Sequence, residues 1–276
     1  MTNKELLDLV RELFEETENL VHLPAEDVDV PAVEEPLVGF ASADDAIWEE
    51  YKKPEAIGEE WMAPREWMDD AKTVIAFFYP YSEEIRSRAR KARELVNEAW
   101  GNGYPAGSRV AGAVTEKLIA KLEEKGIKVV NPTKDPRMAN KSITVMEGDE
   151  EGLHFIPSWS SRHACYAAGL GTFGTHRHMI TEKGACGTIQ SLIIDLELEP
   201  TKREYTGIYD NCIKCGACVR RCPAGAITLE NLRNLKKCRD WGGYLRENVG
   251  PGGCGKCMVA VPCEHQNPSK LVRKQG

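Results

Sequence analysis

The sequence predicts an α+β protein: a mixed helix-and-strand body that ends near Thr201, followed by a small cysteine-rich module. Three observations predict it. Strongly apolar β-type runs alternate with amphipathic helical stretches before residue 200. After Glu204 the composition changes abruptly to short turns and cysteines. Within that last part, Cys212, Cys215, Cys218 and Cys222, followed by Pro223, read C-x2-C-x2-C-x3-C-P.

The body divides into an acidic N-terminal helix and arm, residues 1–66, and an α/β domain, residues 67–200. From Asn3 to Leu23 the residues Leu6, Leu7, Val10, Leu13, Phe14, Leu20 and Val21 share one helical face. Residues 24–66, rich in proline and acid, are expected as an irregular arm with short helices around Trp48 and Trp61. Lys72 to Tyr79 is a run of β-formers closed by Pro80, hence a buried strand. Glu83 to Trp100 reads as helix, and the glycines and proline of 101–108 (GNGYPAGS) predict a loop. Val110 to Lys125 returns to helix, with Val114, Leu118, Ile119 and Leu122 along one side and Gly126 as its cap. Ile127 to Val130 resumes a strand, Ser160 to Ala168 a helix ending at Gly169, and Gly187 to Leu198 a long β segment.

The cysteine spacing carries the chemistry. Three thiolates at two-residue gaps wrap one corner of an iron–sulfur cubane, and the fourth, ahead of a proline, points to a second cluster. Cys238, Cys254, Cys257 and Cys263 bring the total within 212–263 to eight, the number two 4Fe–4S clusters need. The crossing rule assigns Cys212, Cys215, Cys218 and Cys263 to one cluster, and Cys222, Cys238, Cys254 and Cys257 to the other. Residues 201–276 are therefore expected as a bacterial-ferredoxin-like 4Fe–4S domain. Zinc ribbons also use C-x2-C pairs, but zinc leaves the crossing pattern unexplained. Disulfides are disfavoured, because MTNKELLDLV has neither the basic nor the apolar region of a signal peptide. Cys165 and Cys186 are read as packing residues.

Charge is uneven along the chain. The net charge of −7 is the sum of −14 over 1–60, −1 over 61–200 and +8 over 201–276. Each cubane on four thiolates carries about −2, so part of the C-terminal basic excess balances the clusters. The remainder suits a docking face for an acidic electron donor, a ferredoxin or flavodoxin. The longest apolar run, Thr73 to Tyr79, is too short to span a bilayer, so a cytoplasmic protein with no membrane partner is expected.

Ala168 to Thr181 reads AGLGTFGTHRHMIT. Gly169, Gly171 and Gly174 fit G-x-G-x-x-G, yet a dinucleotide fingerprint follows a strand and opens a helix, whereas this one follows a helix and leads into a strand. The glycines are expected instead to let backbone approach a large flat or anionic ligand.

The pairing of AGLG-x-x-G-x-x-x-x-x-I (Ala168 to Ile180) with a downstream two-cluster module resembles the epoxyqueuosine reductase and reductive dehalogenase group, over roughly residues 69–268. The resemblance implies a nitroreductase-like α/β domain that binds cobalamin, with two 4Fe–4S clusters delivering electrons to cobalt. It implies that Gly169, Gly171, Gly174, Thr175, His176, Arg177, His178 and Met179 line the corrinoid pocket. The segment GACGTIQ (184–190) would match a further cofactor-contacting strand. No D-x-H-x-x-G segment offers a histidine to cobalt, which fits a family whose cobalamin is held without one.

The chain also departs from the family. Epoxyqueuosine reductases carry G-W-I-G-K where this chain has Gly171-Thr172-Phe173-Gly174-Thr175. Their proposed proton donor is an aspartate a dozen or so residues before AGLG, and here 154–160 holds no carboxylate. The second cysteine motif is C-x2-C-x5-C with Pro262 before its last cysteine, and no helical-repeat extension is expected. These differences argue against tRNA and for a small-molecule or corrinoid substrate. His154, His163 and Tyr166 are the candidate replacement proton donors, since each type holds a transferable proton near neutral pH or above. Arg162 and Arg177 are the best-placed anion contacts. The leading expectation is a cobalamin-dependent iron–sulfur oxidoreductase. The alternatives are a ferredoxin-type electron carrier without chemistry of its own, and an iron–sulfur flavoenzyme.

Overall fold

The computed structural model describes residues 1–91, 97–147, 150–248, 250 and 252–273. Helix α1 (Asn3–Glu15) leads into strands β1 (Leu20–Leu23), β2 (Val28–Pro31) and β3 (Leu37–Ser42). Two single-turn helices, α2 (Ile47–Glu50) and α3 (Pro64–Trp67), precede strand β4 (Thr73–Pro80), helices α4 (Glu83–Lys91) and α5 (Glu98–Glu124), and strand β5 (Val129–Val130). A hairpin, β6 (Asn140–Glu147) with β7 (Glu150–Pro157), is followed by helix α6 (Ser161–Ala167), strands β8 (Gly171–Phe173) and β9 (Met179–Thr181), and strand β10 (Gly187–Ile194). The last part holds α7 (Ala217–Arg221), β11 (Ile227–Thr228), β12 (Leu232–Arg233), α8 (Leu235–Asn248) and α9 (Pro268–Arg273).

The central sheet has the order β3-β4-β10-β5, with every neighbouring pair antiparallel. All eight positions of β4 are buried because both of its faces are covered, which is why its sequence runs apolar without alternation. Ile75, Phe77 and Tyr79 pack with α1 and α5 through Leu6, Val10, Val110, Val114 and Leu118. Val74 and Ala76 face the opposite side, toward α6 and the tryptophans Trp48, Trp61, Trp67 and Trp159. Two separate cores thus clamp one sheet.

The expected elements are met in part. The N-terminal helix stops at Glu15 rather than Leu23, and Leu20–Leu23 is a strand. Thr17 turns its hydroxyl back to the Leu13 carbonyl (2.6 Å), and Asn19 exchanges two hydrogen bonds with the Val33 backbone. These side-chain-to-backbone bonds compete with a continuing helix. The stretch 24–66 is not an irregular arm: it supplies β3, an edge strand of the sheet. The helix expected from Glu83 to Trp100 is found as Glu83–Lys91 and the start of α5; residues 92–96 lie outside the described ones. The hairpin β6–β7 has no counterpart in the sequence reading.

The largest difference is at 101–108, which is helix and not loop. Its glycines serve close packing rather than a turn. A Cβ on Gly103 would stand 2.8 Å from the Ile85 side chain, and one on Gly107 would stand 2.5 Å from the Tyr81 ring. Pro105 has no N–H to give the Gly101 carbonyl, and Gly252 packs against that carbonyl so tightly that a Cβ there would lie 2.5 Å away. Replacing Gly107 with alanine is expected to cost about 1–3 kcal/mol through overpacking, read as a lower melting temperature with unchanged helix content.

Candidate functional site

Cys212, Cys215, Cys218 and Cys263 line one hollow. The 212–218 loop turns around it on the positive φ of Lys214 (50°) and Gly216 (71°). Cys263 arrives from the far end of the chain. Its carbonyl accepts from Ala185 N–H (2.7 Å), and the Glu264 carbonyl accepts from Cys186 N–H (3.0 Å). These bonds pin the C-terminal strap to the start of β10. Burial raises the Cys263 thiol well above its ordinary value, and Cys212, Cys218 and Cys215 raise it further. Cys218 is pushed up to about 11 by burial and then by Cys212 and Cys215.

The other four cysteines form a second set. Cys257 is pushed up to about 12 by burial, with Cys238, Cys254 and Cys218 adding to the rise. Cys254 is raised by burial and by Cys222 and Cys238. Cys222 lies on the exit of α7, where its sulfur accepts from Ala226 N–H at 3.2 Å. Cys238 sits on α8, and Cys254 and Cys257 on a glycine-rich turn with positive φ at Gly252, Gly253 and Gly255. Cys212, Cys215, Cys218 and Cys263 thus share one hollow. Four thiolates at one place repel each other, and only a cationic core relieves that repulsion. A hollow bounded by four thiols fits a cubane. Among the described residues, no three His, Cys, Asp or Glu side chains close on a single metal ion. Cys165 and Cys186, by contrast, are fully buried, and burial drives both thiols upward, Cys165 to about 12.

The glycine-rich stretch forms the β8–β9 hairpin and sits against the first cysteine set. Gly171 is a glycine because a Cβ would meet the Ile180 carbonyl at 2.2 Å, and Gly174 because one would meet the His176 ring at 2.6 Å. Their smallness is used inside the hairpin, whereas the sequence suggested ligand approach. Gly169 takes φ +76° at the end of α6, and Met179 is buried. Thr175 Oγ1 lies 3.5 Å from Cys212 Sγ, and His176 Nε2 lies 3.4 Å from Cys263 Sγ. His178 Nε2 faces Arg233 Nη1 at 2.9 Å. Burial, then the charges of Arg233 and Arg162, push His176 down to about 3, so its ring is neutral. Arg177 takes φ 57° at the tip of the hairpin.

The three candidate proton donors are dispersed. His154 is on β7, opposite Ile143 in the hairpin. His163 and Tyr166 are on α6 and both flank the Phe173 ring, at 4.9 and 6.4 Å between centroids. His163 bonds Ser160 through Nδ1 (2.9 Å) and packs edge-on to Tyr51. Burial first, then Arg162, lowers it to about 3, which suits a neutral packed ring better than an acid at neutral pH. Tyr166 gives its hydroxyl to the Thr206 carbonyl at 3.2 Å, and burial raises its pKa. A base depressed on folding binds fewer protons than in the unfolded chain between pH 3 and 6.5, so stability falls as pH drops through that window. His163→Phe is expected to flatten this fall between pH 7 and 5, as read by urea melts of the two chains.

Arg162 and Arg233 were not singled out together by the sequence, because 71 positions separate them. Arg162 has accessible surface, yet it is surrounded so deeply that burial lowers its pKa, with Arg233 as the next cause. His163 and His178 are half-exposed. The first half of β10, Gly187 to Gln190, is half-exposed although the strand is internal to the sheet. α6 is anchored beside it where Ser191 Oγ accepts from Trp159 Nε1 (2.9 Å) and bonds Ser161 Oγ (2.8 Å). Arg233 is 8% exposed, its Nε has no hydrogen-bond partner, and no carboxylate pairs with it among the described residues. The unpartnered Nε–H of Arg233 suits a ligand rich in carbonyl and phosphate acceptors, as a corrinoid is.

A hollow lined by four thiols points to the iron–sulfur class, and a family model described as a 4Fe-4S binding domain matches residues 205–228. The chain is moreover similar to epoxyqueuosine reductases. One from Cyclobacterium marinum is 25% identical over 182 residues, covering 63% of this chain and 49% of the relative, so the chain spans about half of that protein. The epoxyqueuosine reductase from Streptococcus thermophilus has the same overall fold (TM-score 0.54, 16% identity, 97% of this chain and 68% of that one). An epoxyqueuosine reductase solved with an epoxyqueuosine-modified tRNA-Tyr stem loop superposes at TM-score 0.53 (17% identity, 95% and 64%). A reductive dehalogenase, whose structure suggested a mechanism for B12-dependent dehalogenation, superposes at 0.53 (15% identity, 86% and 31%). The resemblance read from the sequence is shown. The expectation against tRNA is corrected, since these relatives are epoxyqueuosine reductases and one is solved with its tRNA stem loop. No helix among the described residues is long and apolar enough to cross a membrane.

Proposed function

We propose that this chain is a cobalamin-dependent iron–sulfur reductase with a nitroreductase-like body. Cys212, Cys215, Cys218 and Cys263 hold one 4Fe–4S cluster, and Cys222, Cys238, Cys254 and Cys257 hold the other. The observation that carries the reading is the single hollow lined by Cys212, Cys215, Cys218 and the distant Cys263, beside a matched 4Fe-4S binding segment. Adjacent clusters pass electrons singly, and cobalamin, when bound, supplies low-valent cobalt able to reduce an organic substrate. Arg162 and the free Nε–H of Arg233 bind acceptor groups on the corrinoid, and the half-exposed stretch 187–190 gives it a flat wall. The aromatic core behind α6 keeps water from that side.

The substrate to test first is an epoxyqueuosine nucleoside on a tRNA stem loop, because the similar proteins carry that name. Anaerobic reconstitution is expected to yield about eight iron and eight sulfide per chain. Added cobalamin then changes its visible spectrum on binding, and with a low-potential chemical reductant the modified stem loop loses one oxygen by mass. Zinc in the module, or a yellow cofactor released on denaturation in place of corrinoid binding, would overturn the reading.

A further inference from the structure

We propose that His176 sets the reduction potential of the cluster on Cys212, Cys215, Cys218 and Cys263, and that it does so through one N–H···S hydrogen bond to Cys263. The inference rests on the cluster assignment above and goes beyond it, since it gives a separate task to a residue of the glycine-rich hairpin.

The geometry fixes the direction of the bond. His178 N–H donates to His176 Nδ1 at 3.0 Å. A backbone N–H has no acceptor capacity, so Nδ1 is the bare nitrogen of the ring and Nε2 carries the proton. That proton faces Cys263 Sγ, 3.4 Å away. The ring is 1% exposed, so water does not compete for either nitrogen. His178 is in turn held at Nε2 by Arg233 Nη1, 2.9 Å away. A short path of hydrogen bonds therefore runs from Cys263, through His176 and His178, to a buried guanidinium in the field of Cys257. Thr175 adds a second polar contact, to Cys212 Sγ at 3.5 Å.

The consequence follows from charge. Reducing a cubane adds one electron, and part of that charge lies on its cysteine sulfurs. A donor aimed at one sulfur stabilises the reduced form more than the oxidised form and draws the potential upward. Because the bond reaches Cys263 alone, the effect falls on the first cluster and leaves the second unchanged.

The test is an EPR-monitored redox titration of the reconstituted full chain, unmodified and as His176→Leu and His176→Gln. The leucine variant is expected to keep about eight iron while one of two reduction steps moves to more negative potential. The step that moves should be the one abolished in Cys263→Ala. Glutamine, which retains an N–H donor, should restore part of the shift. Pulsed EPR on the unmodified chain labelled with ¹⁵N-histidine should show nitrogen coupling to the reduced first cluster, so a leucine variant that fails to load iron does not leave the question open. Unchanged potentials with both clusters present, equal shifts in both, or no histidine coupling would overturn the role of His176 while leaving the cluster assignment standing. A chain that takes up no iron–sulfur cluster at all overturns both.

Discussion

Replacing Cys263 with alanine is expected to remove one cluster and spare the other, lowering iron from about eight to about four per chain. The change reaches one cluster because the second set of thiols draws no ligand from residue 263. The first hollow, left with three thiols, loses the corner that closes it. The body should remain folded, since the bonds tying the strap to β10 use the backbone of residues 263 and 264 and not the thiol. Iron analysis and EPR of the reduced protein check this directly. Loss of all iron would show that the clusters assemble as a unit; unchanged iron would remove Cys263 from the ligand set.

Trp159→Ala should produce the largest loss of stability, about 3–5 kcal/mol. Its indole stacks on Trp61 at 5.1 Å and on Trp48 at 5.9 Å between centroids, with interplanar angles of 12° and 23°, and meets Trp67 edge-on. Its N–H is also the buried donor to Ser191. Truncation opens a cavity between stacked rings that cannot collapse without moving α6 against the sheet. Chemical denaturation of the reconstituted chain gives the magnitude, and cobalamin titration should show weakened binding because α6 carries Arg162. A loss below about 1 kcal/mol, typical of exposed positions, would show that the stack is not a structural keystone.

The 4Fe-4S binding segment was legible because its four cysteines, 212 to 222, are written in local spacing. The strand Thr73–Pro80 was legible because a strand covered on both faces has to be apolar throughout, whereas Gly187–Ile194 is fully buried only over Ser191–Ile194. Residues 101–108 were misread because glycine and proline have the same letters in a turn as in a helix packed against Ile85 and Tyr81. What distinguishes the two is a neighbour 18 or 26 positions away, which no local pattern carries. His176 was read as a ligand contact for the corrinoid, and its partner Cys263 is 87 residues distant. The edge strand Leu37–Ser42 was hidden by the proline and acid around it. The hairpin β6–β7 escaped because its sequence alternates weakly.

The turn that bears Cys254 and Cys257 wedges into the body. Gly255 exists as glycine because a Cβ would stand 2.1 Å from the Trp100 indole, and Met258 and Val259 belong to the same buried cluster as α1 and α5. The segment that carries these two proposed ligands is therefore part of the main core and not an appendage hung from it. On the proposed ligand assignment, an iron-starved chain would have to tolerate a loosened wedge in its own interior, which ties iron loading to the integrity of the body.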